Sequence, residues 1–82
     1  MDVNLSISQN LRKLREQNGY TQKEIAELLN CTQVTYSNYE TGRRCISIQS
    51  LIKLAKFYKV STDYIIGISN DIMVHSKTDK QV

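Results

Sequence analysis

Apolar residues along this chain return every three or four positions, and the polar residues between them carry the punctuation of short helices. Ile7, Leu11 and Leu14 form the first stripe. Ser6 to Gln9 reads S-x-x-Q, a capping box that predicts a helix opening at Ser6. Gly19 supplies the left-handed residue that lets that helix stop near Asn18. Thr21 to Glu24 reads T-x-x-E, a stronger capping box, and Ile25, Ala26, Leu28 and Leu29 follow as a second stripe. Asn30, which tolerates a left-handed turn, closes this helix. Thr32 caps a third helix that Gly42 terminates. The connection from Asn30 to Thr32 is so short that helices two and three must cross steeply, as in a helix-turn-helix. Ser47 caps a fourth helix with Ile48, Leu51, Ile52, Ala55 and Tyr58 directed inward and Gln49, Lys53 and Lys56 outward. Ser61 or Thr62 caps a short fifth helix over residues 63–66, with Asp63 favourably placed in its first turn. Gly67 ends it.

The pattern predicts an all-α fold of five helices in one compact domain, residues 1–68. Residues 69–82 read as a flexible C-terminal tail, with the patch Ile72, Met73 and Val74 as a rival docking segment for a protein partner. At 82 residues the chain buries only about 60–65% of its unfolded surface, so apolar positions are scarce. Its hydrophobic content of 40% and charged content of 23% are those of a soluble globular domain. No apolar run approaches the roughly 20 residues of a membrane span, and MDVNLSISQN lacks the pattern of a signal peptide. A cytoplasmic location is expected. Cys31, Cys45 and the lone His75 do not make the roughly four ligands of a zinc site, so neither metal nor cofactor is expected. The net charge of +3 permits an anionic partner without requiring one.

Against that scarcity the third helix, within CTQVTYSNYETG, is unusual. On a wheel of about 100° per residue with Tyr36 at zero, Glu40 and Tyr39 fall within about 60° and face the core. Val34, Ser37, Asn38 and Thr41 occupy an arc from about 100° to 200°, and Gln33 stands at the exposed first turn. An ordinary solvated face would carry Glu and Lys at i, i+4, and none occurs between residues 33 and 42. Amides and hydroxyls instead suit base edges in a major groove, where Gln and Asn bond adenine bidentately and a Val or Thr methyl meets the thymine methyl.

LRKLREQNGYTQKEIAELLNCTQVTYSNYETGRR, running on to SLIKLAKFYKVSTDYIIG, resembles the phage repressor and Cro-type helix-turn-helix domain over about residues 7 to 67. The shared positions are L-R-x-x-x-G-x-T-Q, the Y-E-x-G stop, L-x-x-L-A and V-S-x-D-Y. The resemblance implies a lambda-repressor-like domain in which helices two and three form the helix-turn-helix and helix three is the recognition helix. It implies that Gln22 contacts backbone phosphate, that Gln33 reads base edges with Val34, Thr35 and Asn38, and that Arg43 and Arg44 grip phosphates. Ser37 joins the base-reading set and Thr41 the phosphate set from their places on the wheel. Arg15 and Glu40 occupy the positions of a structural ion pair. Three positions depart from the family: Ile46 replaces a common Pro, Asn30 a turn glycine and Val34 a polar residue.

The expected function is therefore a sequence-specific regulator of transcription that binds double-stranded DNA, a repressor reading a pseudo-palindromic operator as a homodimer. Its dimer surface would involve Tyr64, Ile65 and Ile68 of helix five with the Ile72–Val74 patch. The alternative is a protein-interaction module, such as an antitoxin or adaptor, on the same fold. Catalysis is not expected, because no nucleophile–base set, phosphate-cradling glycine loop or paired carboxylate stands in the sequence.

Overall fold

The computed structural model describes residues 3–67. They form five helices, α1 (Val3–Gln17), α2 (Gln22–Leu28), α3 (Gln33–Thr41), α4 (Ile48–Tyr58) and α5 (Thr62–Ile66), and the described residues contain no strand. The all-α class and the five-helix order are those the periodicity predicts. The tail and its Ile72–Val74 patch lie outside the described residues.

Most helix starts follow their caps. The Thr21 hydroxyl accepts from the Glu24 amide at 3.1 Å while the Glu24 carboxylate accepts from the Thr21 amide at 2.8 Å, closing the reciprocal box. Thr32 and Ser47 accept from the amides of Thr35 and Ser50. Ser61, rather than Thr62, caps α5 by accepting from Tyr64 at 2.9 Å. The first helix departs from expectation. It already runs at Val3, so Ser6 lies inside it and caps nothing. Val3, Asn4 and Leu5 include neither Gly nor Pro to stop helical turns from extending ahead of Ser6.

Three helices end in the same way, with the residue after a left-handed one bonding back five positions. The Tyr20, Cys31 and Val60 amides donate to the carbonyls of Arg15, Ala26 and Ala55 at 3.1, 3.0 and 2.9 Å. The left-handed residue in each motif is Gly19, Asn30 or Lys59. Asn30 at φ 60° is what lets the chain reverse sharply between α2 and α3.

The core gathers Leu11 and Leu14 of α1, Ile25 and Ala26 of α2, Tyr36 of α3, Leu51, Leu54 and Ala55 of α4, Val60, and Ile65 of α5. Helix α1 packs on α3 and α5, α2 on α3, and α4 on α5. Two positions expected inside are outside: Ile48 is 64% and Ile52 41% exposed, while Leu54 is fully buried. The buried stripe of α4 runs through Leu51, Leu54 and Ala55. Ile48 in the first turn and Ile52, a step of about 100° from Leu51, fall at its rim. Tyr20, partly buried against the core, has its ring 5.2 Å from Phe57 and 6.5 Å from Tyr58.

Candidate nucleic-acid interface

Helix α3 has two unlike faces. Inward, Tyr36 is fully buried and packs edge-on to the half-buried Tyr39, with ring centroids 6.3 Å apart. Outward, Val34 is 71% exposed and Gln33 and Thr41 are exposed beside it, while Ser37 and Asn38 are half-buried. Gln33, Val34, Ser37 and Asn38 line a shallow concavity whose opposite wall is Gln22 at the start of α2. Four of the five predicted base-reading residues thus share one recess with Gln22. The fifth, Thr35, is half-buried, and its hydroxyl accepts from the Thr32 hydroxyl at 3.0 Å. The Thr41 hydroxyl donates to the Asn38 carbonyl of its own helix at 3.3 Å.

Arg43 and Arg44 follow the left-handed Gly42 and are both exposed. The Arg44 amide donates to the Asn38 carbonyl at 3.2 Å, which holds the start of this loop against the end of α3. Ile46, in place of the family's proline, is half-buried and packed against the core, so the far end of the loop is anchored by apolar contact instead of a fixed φ.

Glu40 carries the inner face. Its carboxylate accepts from Arg15 Nε at 2.6 Å and Nη2 at 3.1 Å, and from Gln22 Nε2 at 3.0 Å. Arg15 spends its remaining terminal nitrogen on the Tyr20 carbonyl at 2.9 Å. One carboxylate thereby fastens α3 to both α1 and α2, with the Arg15 and Glu40 side chains only 13% and 3% exposed. Burial pushes the Glu40 carboxyl up, but hydrogen bonds from Arg15 and Gln22 and the neighbouring Tyr36 hydroxyl outweigh it and hold the group below its ordinary range. The Arg15 guanidinium is raised in turn, chiefly by Glu40. Burial, and then Glu40, raise both nearby phenols, Tyr36 beyond its usual range and Tyr58 to about 12. The Tyr36 hydroxyl lies by the carboxylate without a bond of good geometry, and the buried Tyr58 hydroxyl also lacks one.

The Gln22–Glu40 bond has no sequence signal. Gln22 sits at no apolar stripe position, and its bond spans 18 residues. It places Gln22 between the two faces: one amide hydrogen is committed to the anchoring carboxylate while the side chain lines the recess. The surface expected for dimerisation requires a correction, since Ile65 is fully buried in the core and Tyr64 is half-buried. On a five-residue helix the position following Tyr64 turns by about 100°, which carries Ile65 into the core, and α5 packs on both α1 and α4. Ile68 and the Ile72–Val74 patch lie outside the described residues. Among the described residues no group of three His, Cys, Asp or Glu could hold a metal, and no helix is long and apolar enough to cross a membrane.

Residues 11–65 match the family model described as Helix-turn-helix. The chain is 40% identical over 75 residues to the HTH-type transcriptional regulator ImmR of Bacillus subtilis (strain 168), which covers 92% of this chain and 58% of that protein. It is 35% identical over 63 residues to the uncharacterized HTH-type transcriptional regulator YobD of the same organism, covering 77% of this chain and 56% of that protein. Among solved structures, that of a transcriptional regulator from Listeria innocua matches with a TM-score of 0.73 at 31% identity, over 82% of this chain and 63% of that one. The chain spans a little over half the length of these two curated relatives.

Proposed function

The chain belongs to the helix-turn-helix family, and from that premise we propose that it is a sequence-specific regulator of transcription that binds double-stranded DNA through α3. The observation that carries this reading is the recess of Gln22, Gln33, Val34, Ser37 and Asn38 on a helix whose other face is locked into the domain. Gln33 and Asn38 present amides, Ser37 a hydroxyl and Val34 a methyl pair at the width of one helix, which a major groove of about 12 Å admits. Arg43, Arg44 and Gln22 are assigned to backbone phosphates, which fix register and carry no sequence information. Thr41 flanks them at the end of the helix.

One recognition helix covers few base pairs, so we assign function to two copies on a pseudo-palindrome with half-sites about 34 Å apart. Where such an operator overlaps a promoter, occupancy excludes polymerase and the outcome is repression.

The test is enrichment from a random duplex pool at two salt concentrations. The reading expects a palindromic sequence whose affinity falls as salt rises. Binding without any enriched sequence would reject it in favour of a module whose partner is protein.

A further inference from the structure

Two backbone atoms on either side of Arg43 are held by different parts of the domain. Before it, the Gly42 carbonyl accepts from Asn4 Nδ2 of α1 at 2.9 Å. After it, the Arg44 amide donates to the Asn38 carbonyl of α3 at 3.2 Å. The first atom belongs to the peptide unit joining Gly42 to Arg43, the second to the unit joining Arg43 to Arg44. Peptide units are planar, so a residue's backbone has only two soft angles, which orient its two flanking planes. Holding both planes fixes the backbone of Arg43 and the direction in which its side chain leaves. That side chain is exposed, and among the described residues no carboxylate pairs with it.

Asn4 lies 38 residues from Gly42 and reaches it because α1 packs on α3. The approach is close: a Cβ on Gly42 would stand 3.7 Å from Ser8 Oγ and 3.8 Å from Asn4 Nδ2. Ser8 commits its hydroxyl to the Leu5 carbonyl of its own helix, so the donor that α1 gives to this loop is Asn4.

We propose that Asn4 is a positioning residue for DNA binding: through the Gly42 carbonyl it holds the backbone of Arg43 in the orientation from which the guanidinium meets a phosphate. The role rests on the DNA-binding reading above and extends it to a residue of α1 outside both the recess and the basic loop. Without the Asn4 bond the plane before Arg43 is free to turn, and the residue must be ordered again at each binding event. Ordering one residue's backbone corresponds to a loss of affinity of roughly five- to thirtyfold.

The experiment is a double-mutant cycle on the enriched duplex. It combines Arg43→Ala with Asn4→Leu, which keeps the side chain's shape but cannot donate. Binding of the whole chain is measured beside thermal melting by circular dichroism. Asn4→Leu alone stays folded, enriches the same sequence as the parent and binds it roughly five- to thirtyfold more weakly. In the Arg43→Ala background the same substitution costs less than about twofold, since the group it positions is gone. Asn4→Ala, which also lacks the donor, follows Asn4→Leu in both backgrounds. A loss as large in Arg43→Ala as in the parent would mean that Asn4 only steadies the end of α3, and the inference is overturned. It is overturned equally if Asn4→Leu or Arg43→Ala binds like the parent, or if both Asn4 variants unfold. An enriched sequence with an additive cycle sinks this inference alone. A pool with no enriched sequence sinks both it and the DNA-binding reading.

Discussion

Helices α3 and α4 are neighbours in sequence and similar in length, nine and eleven residues, yet they are built on opposite plans. Helix α4 is held by apolar surface: Leu51, Leu54 and Ala55 go into the core, and Lys53 and Lys56 go to water. Helix α3 gives the core a single fully buried side chain, Tyr36, and is otherwise fastened by a buried carboxylate. The contrast teaches that α3 is not selected for packing alone. A helix meant only to stabilise a small domain would spend its outward positions on solvated charge and its inward ones on leucine. Here the inner face is tied down by Arg15 and Gln22, so the outer face is free to carry residues that do nothing for stability.

Substitutions should therefore sort by face. The largest effects lie inside. Tyr36→Ala should cost about 3–5 kcal/mol in urea denaturation, a large part of the stability of so small a domain. Glu40→Ala should cost a comparable amount, about 3–5 kcal/mol, because it leaves the Arg15 guanidinium without its carboxylate in a site 13% exposed. A Glu40→Ala protein as stable as the parent would dissolve the distinction between the two plans.

Acidity offers a sharper probe of the same carboxylate. The folded state holds Glu40 below its ordinary value of 4.5, so it binds a proton less readily than the unfolded chain does. Its contribution is fully present above about pH 4.5 and is lost as pH falls through the lower folded value. Denaturation midpoints measured from pH 7 down to pH 3 should fall more steeply for the parent than for Glu40→Gln.

The outer face should behave in the opposite sense. Gln33→Ala should leave folding stability within about 0.5 kcal/mol of the parent, as for an ordinary surface change. Its effect should appear on binding to the selected duplex, at about 1–3 kcal/mol. The smallest and least specific change is expected of Arg43→Ala, which should weaken all duplexes alike and reduce the slope of log affinity against log salt by about one.

Much of this division was legible in the sequence. The capping boxes and stripes located α2 to α5, and a wheel anchored on Tyr36 separated the inner from the outer face of α3, where Tyr36 and Glu40 are buried and Val34 is exposed. What it could not supply depends on tertiary context. S-x-x-Q marks a helix start only if the chain ahead of it is not already helical, and α1 begins earlier. Ile48 and Ile52 fit an amphipathic pattern, but which edge of a stripe is covered depends on the neighbours packed against it. Lys59 at φ 60° has no local signature. The Gln22–Glu40 bond joins residues that only the steep crossing of α2 and α3 brings together.

The central claim is that the outer face of α3 reads base edges while the inner face only holds it in place. Its most direct test is to repeat the random-duplex selection with Gln33→Ala beside the parent. The account predicts the same half-site spacing with preference lost at one base pair in each half. An unchanged preference at every position would mean that another surface of the domain does the reading.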